Sequence, residues 1–152
     1  MKHRNHSRQR LQAGFSLIEL LIVVAIIGII ASIAIVYIVQ AKQAANSASA
    51  ISSLRTIHQS ESSYRASTGS YGNMTQLGDS GLINDPALRS AGQKSLYQFV
   101  VTPNAVDATQ DYTATAAPMN LPAVNHYFFI NATGVIRRNL GAAADATSTP
   151  ID

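Results

Sequence analysis

Cysteine is absent from all 152 residues. The chain therefore has no disulfide, no thiol nucleophile and no cysteine-based metal site. Domains exported to oxidising compartments commonly use disulfides, and this one cannot. Catalytic constellations are missing too. Serine is plentiful, but none sits in a G-x-S-x-G context. No glycine-rich phosphate loop or metal-ligand spacing occurs. Beyond the first fourteen residues the histidines are His58 and His126. No enzymatic activity, metal or cofactor is expected.

A third absence is local. From Leu20 to Val39 twenty residues carry no charge. As a helix they rise about 30 Å, the thickness of a bilayer's hydrocarbon core. Ile and Val dominate, so the helix is apolar on every face, as a lipid-facing helix must be. A buried core helix seldom runs so long without a charged residue.

One acid stands at the mouth of this stretch. Ionisable residues in such segments are rare, costly and usually functional, which singles out Glu19. Ahead of it, Met1 to Gly14 reads MKHRNHSRQRLQAG, with Lys2, Arg4, Arg8 and Arg10 and no acid. These four are part of eleven basic residues; without them seven face eight acids, a side-chain charge of −1. The high overall pI thus does not predict nucleic-acid binding by the remainder. The basic end instead orients the span, N-terminus cytoplasmic and C-terminus outside.

The run Gly14-Phe15-Ser16-Leu17-Ile18-Glu19, behind a basic leader and ahead of the apolar span, resembles the prepilin cleavage signal of type IV pilins and related pseudopilins. The resemblance implies a cut after Gly14 by prepilin peptidase and N-methylation of Phe15. The spacing also has a chemistry of its own. A cut there frees an α-amine with an ordinary pKa near ~8, mostly protonated at neutral pH. Phe15 and Glu19 are four apart, on one helix face. Spacing alone allows their charges to pair within one chain or between neighbours; the resemblance implies neighbours, in a filament. A conventional secretory signal fits poorly. Its apolar region is shorter, and the small triplet Ala48-Ser49-Ala50 lies too far beyond the span.

Type IV pilins often carry a Gly within the span and a Pro eight residues later. Gly28 is present, but Val36 holds the second position, so the proline that would remove a helix hydrogen bond and kink the axis is missing there. Many type IV pilins of Gram-negative bacteria also close their C-terminal region with a disulfide, from which this chain departs.

The helix is expected to continue beyond the span, from about Phe15 to Ser67, roughly 80 Å in all. Gln40 to Ser67 has no Pro or Gly, and Ala44, Ala48, Ile51, Leu54, His58, Glu61 and Tyr64 recur at helical spacing. Ala44, Ala48, Ile51 and Leu54 form a stripe suited to a sheet. Glu61 and Arg65 form an i,i+4 pair. His58 is expected at a boundary rather than as a ligand. Thr68-Gly69-Ser70 ends the helix.

A loop follows, with helical turns near Met74–Leu77 and Pro86–Ser90. Strands are expected at Leu96–Thr102, Tyr112–Ala116, His126–Asn131 and Val135–Arg138, with Asn131-Ala132-Thr133-Gly134 as a turn. The words YRASTGSYGNMTQLGDSGLI and FFINATGVIR resemble the loop and final hairpin of many pilins. Asp107 and Asp111 are expected in a solvated loop rather than at a calcium ion. Asn131-Ala132-Thr133 matches a glycosylation sequon, and Arg137 and Arg138 are expected at an exposed strand end.

The expected fold is α+β: a long N-terminal helix packed on a small antiparallel sheet. Residues 1–14 are expected as a leader, 15–39 as membrane and filament-core helix, and 40–68 as its outer half. Residues 69–95 are expected as a loop, 96–140 as sheet and 141–152 as a flexible tail. The resemblance implies a structural subunit of a type IV pilus-like filament. Alternatives are a pseudopilin of a type II secretion system, or a minor pilin in adhesion or DNA uptake. Its implied partners are copies of itself, the peptidase, an inner-membrane assembly platform and the membrane.

Overall fold

The computed structural model describes residues 14–120 and 125–151. It is α+β, as expected. One long helix, α1, runs Leu17–Thr68, and two short helices follow, α2 at Met74–Asp79 and α3 at Pro86–Ala91. The strands are β1 (Gln93–Lys94), β2 (Tyr97–Pro103), β3 (Tyr112–Pro118), β4 (His126–Asn131), β5 (Arg137–Leu140) and β6 (Thr149–Pro150). They form one antiparallel sheet in the order β1 to β6, each beside its sequence neighbour. The chain divides after Gln40 into two compact units.

In the unit from Ala41 onward, the outer half of α1 packs on the sheet. Ala50, Leu54 and Ile57 join Tyr97, Phe99 and Val101 of β2, Tyr112, Ala114 and Ala116 of β3, and Phe128 and Ile130 of β4 in one core. The strand residues alternate, as the period of two in a pleated strand requires. Leu54 and Ile57 have no exposed surface, and burial of such a side chain stabilises by about 1.5–3 kcal/mol.

The buried stripe of α1 differs from the expected one. Ala44 and Ala48 are exposed; the buried residues are Ala50, Ser53, Leu54, Ile57, Ser60 and Glu61. The sheet first meets α1 at hydrogen bonds between Ser47 and Tyr97 and between Ser49 and Ser95; Ala44 precedes these contacts, and Ala48 falls on the helix face opposite Ala50 and Ile57.

The expected Glu61–Arg65 pair is also replaced. Glu61 is fully buried and accepts the Gly72 amide through Oε2 at 2.9 Å. Arg65 donates to the Tyr71 hydroxyl at 3.2 Å and lies 5.1 Å over that ring. The loop returning past the helix end separates the two partners. A Cβ on Gly72 would stand 2.9 Å from the Tyr64 ring, so only glycine admits this approach.

The loop's two helices are capped as their sequences dictate. Asn73 and Gln76 form a reciprocal capping box on α2. Asp85 caps α3 ahead of Pro86, and Gly92 closes it in the left-handed conformation. Lys94 pairs with Asp85 at 2.7 Å and, first among several hydrogen bonds, holds its carboxyl below the usual range. The pair is partly exposed and contributes under about 1 kcal/mol.

Among the described residues six strands stand where three or four are expected. β1 turns into β2 through Ser95 and Leu96, both at positive φ (50° and 63°). That is the geometry of a two-residue hairpin normally filled by Asn-Gly. The fourth expected strand moves from Val135–Arg138 to Arg137–Leu140, because Phe129 pairs with Arg137 and Ile136 is buried in the connection.

Residues 141–151, expected as a flexible tail, fold back. β6 pairs with β5, the Ile151 amide donates to the Ile136 carbonyl at 2.8 Å, and Arg137 donates to the Ser148 carbonyl at 2.9 Å. Ala144 is buried. Pro150 lies on an edge strand, where a missing N–H is tolerated.

Candidate processing and assembly site

The unit up to Gln40 is dominated by the first half of α1. Helix α1 begins at Leu17, with Gly14, Phe15 and Ser16 ahead of it in extended or irregular backbone. Ser16 starts it. Its hydroxyl accepts the Ile18 amide at 3.3 Å, and its carbonyl accepts the Leu20 amide at 3.2 Å. In return the Ser16 amide donates to Glu19 Oε2 at 3.5 Å. The arrangement is close to a capping box, but the Ser16 hydroxyl takes the amide two residues on rather than three; Glu19 lies in the first turn, where the helix dipole favours a negative charge. The sequence signal for it is Ser-x-x-Glu before an apolar run, so Glu19 has a local hydrogen-bonding use besides its charge.

Among the described residues, no atom lies within 4 Å of a Cβ placed on Gly14. Phe15 is 85% exposed. The Gly14–Phe15 peptide bond therefore lies on an accessible segment just before the helix.

Behind it the apolar surface is bare. Every residue from Leu17 to Val39 is exposed. Ser32 turns its hydroxyl onto the Ile29 carbonyl at 2.7 Å, so it presents no unsatisfied donor to an apolar surrounding. The helix passes Gly28 and Val36 without interruption. A contiguous apolar surface of this extent marks a site of contact with lipid or with other protein. By length and composition this one long apolar N-terminal helix fits a single-pass membrane anchor.

The other residues singled out in the sequence do not converge on a site. His58 Nδ1 is 2.7 Å from the Tyr112 hydroxyl, at the edge of the core. The His126 carbonyl accepts the Tyr97 hydroxyl at 3.0 Å. Asp107 is held in its ionised form by the Thr109 hydroxyl and amide. Asp111 accepts the amides of Tyr112 and Ala132, tying the start of β3 to the β4–β5 turn. The two acids thus serve separate backbone segments. Asn131 accepts the Thr133 amide and hydroxyl within the turn. Arg138 is exposed, whereas Arg137 is half-buried against Ser148. Among the described residues no group of three His, Asp or Glu could hold a metal ion.

No curated protein and no solved structure matches the chain. Residues 9–35 match a family model described as the prokaryotic N-terminal methylation motif. The match spans Gly14, Phe15 and Glu19 and most of the bare apolar helix. The chain carries the prepilin-type cleavage and methylation signal of type IV pilin-like proteins.

Proposed function

We propose that the chain is cut after Gly14 and then polymerised as the structural subunit of a type IV pilus-like filament. The observation that carries this is the bare apolar half of α1 directly behind the processing signal. That surface serves twice. Before assembly it spans the inner membrane, with the basic leader cytoplasmic and the sheet unit periplasmic. After assembly it packs against the same helix of neighbouring subunits and forms the filament core.

The chemistry at the cut follows from the residues. Hydrolysis frees a cationic amine on Phe15, whose charge methylation preserves. Glu19 of an incoming subunit meets that amine on a subunit already in the filament. Apolar helices slide past one another at little cost; a charge pair in a low-dielectric surrounding fixes their axial register. The partners are therefore further copies of the chain, a prepilin peptidase and an inner-membrane assembly platform. Electron microscopy of sheared surface filaments, with mass spectrometry of their protein, tests this reading. Filaments composed of this chain support it; a producing cell whose filaments lack it refutes it.

A further inference from the structure

One buried acid lies outside the processing signal. Glu61 on α1 has no exposed surface. Its Oε2 accepts the Gly72 amide, and among the described residues its Oε1 has no hydrogen-bond partner. Among the described residues it forms no ion pair, since Arg65, one turn on, is engaged with Tyr71. An ionised carboxylate closed away from water without a cation is costly.

The groups around it offer no counter-charge in contact. From α1 come His58, bonded to the Tyr112 hydroxyl, and Arg65. The loop supplies Tyr71, whose ring centroid lies 4.8 Å from that of Tyr112. β3 supplies Tyr112, whose hydroxyl is pushed up by burial and then by the Glu61 charge. Asp111, bonded to the Tyr112 and Ala132 amides, and Asp107, bonded to the Thr109 amide, are further acids and not cations.

The loop is held at both ends: the Ser60 hydroxyl donates to the Leu82 carbonyl at 3.0 Å near buried Leu77 and Ile83, and two amides hold its start. The Gly72 amide reaches Glu61, and the Tyr71 amide reaches the Ala108 carbonyl at 2.8 Å. We propose that Glu61 is a proton-operated latch on residues 69–83: the neutral acid keeps this loop docked on α1, and the ionised acid releases it so that water reaches the carboxylate.

The direction follows from linkage. An acid that binds its proton more tightly when the loop is docked must favour undocking when the proton leaves. Burial pushes Glu61 from the ordinary 4.5 to about 7, with the Gly72 amide pulling weakly the other way. Across that interval proton loss is coupled to opening. From pH 6 to pH 8 the open population rises by about tenfold.

The test is amide hydrogen exchange of the full chain in detergent micelles, corrected for intrinsic rates, between pH 5 and pH 8.5. Protection of residues 69–83 should fall about tenfold from pH 6 to pH 8, while the β3 amides stay protected. Glu61→Gln should remove that dependence, and His58→Gln should leave it in place. A carboxyl-carbon NMR titration of the wild-type chain checks the same point without a variant, with a Glu61 midpoint near 7 expected. A midpoint in the ordinary carboxylate range, or pH-independent protection of the loop, would overturn the proposal. So would a dependence that survives Glu61→Gln and vanishes in His58→Gln.

Discussion

The Glu19 carboxylate reaches back across the first turn of α1 to the Ser16 amide, 3.5 Å away. One acid thus has two candidate roles, a local cap and a partner for the amine of a neighbouring subunit. They separate by substitution. Glu19→Gln keeps a hydrogen-bond acceptor and loses the charge, whereas Glu19→Val loses both. Loss of the cap weakens the first turn by about 0.5–2 kcal/mol. Both variants should insert into the membrane and be cleaved, because Gly14 is untouched. Both should yield few or no filaments, counted by electron microscopy against membrane-bound protein measured by immunoblot. Normal filament numbers from Glu19→Gln would leave capping as the residue's contribution.

Gly72→Ala tests the docking of the loop on α1. The added methyl meets the Tyr64 ring at 2.9 Å, so the ring or the loop must shift. Overpacking of this kind costs about 1–3 kcal/mol. Urea unfolding should show a lower midpoint at unchanged slope. A midpoint equal to wild type would mean that the loop is looser than its hydrogen bonds imply.

Glu61 also sets a sign for stability against pH. Its folded-state pKa, about 7, lies above the ordinary 4.5. The native state therefore holds a proton that the unfolded chain has released, and stability falls as pH rises between these values. The full effect is about 3 kcal/mol, at about 1.4 kcal/mol per pH unit. Glu61→Gln should be close to wild type at pH 4.5 and more stable than wild type at pH 8, measured by thermal unfolding at each pH. A variant less stable than wild type at pH 8 would contradict the sign.

The C-terminal segment gives a fourth expectation. Removing residues 145–152 deletes β6, the Arg137–Ser148 bond and the Ile151 backbone bond to Ile136. The edge of β5 is then unpaired, a template for association. The shortened chain should unfold at a lower urea concentration, by about 1–3 kcal/mol, and should aggregate more readily in light scattering. Unchanged unfolding would show that the segment adds nothing to the fold.

The large features are legible because they rest on local pattern. Twenty uncharged residues behind Glu19 define the span without any partner, and the alternation of Tyr97, Phe99 and Val101 defines a strand. What escapes depends on chain segments far apart. An acid four residues before an arginine looks like a solvent-facing pair until Gly72 returns, eleven residues later, to cover Glu61. Ser95-Leu96 gives no hairpin signal, since neither residue favours positive φ; the hydrogen bond between Ser49 and Ser95 helps to hold it. The small residues after Gly141 look structureless because their order comes from pairing with β5 and from Arg137. At the candidate site, Gly14, Phe15 and Glu19 are visible as a motif, whereas Ser16 is easily missed because capping draws less notice than a charge at the mouth of a span.

The central claim is that the chain is cut after Gly14 and assembled through the helix thus freed. It is tested most directly by the mass of the N-terminal peptide of the chain recovered from sheared filaments. The account predicts a peptide that begins at Phe15, one methyl group heavier than the unmodified sequence. A filament protein that still carries Met1 to Gly14, or one that begins at Ile51 after the Ala48-Ser49-Ala50 triplet, would contradict it.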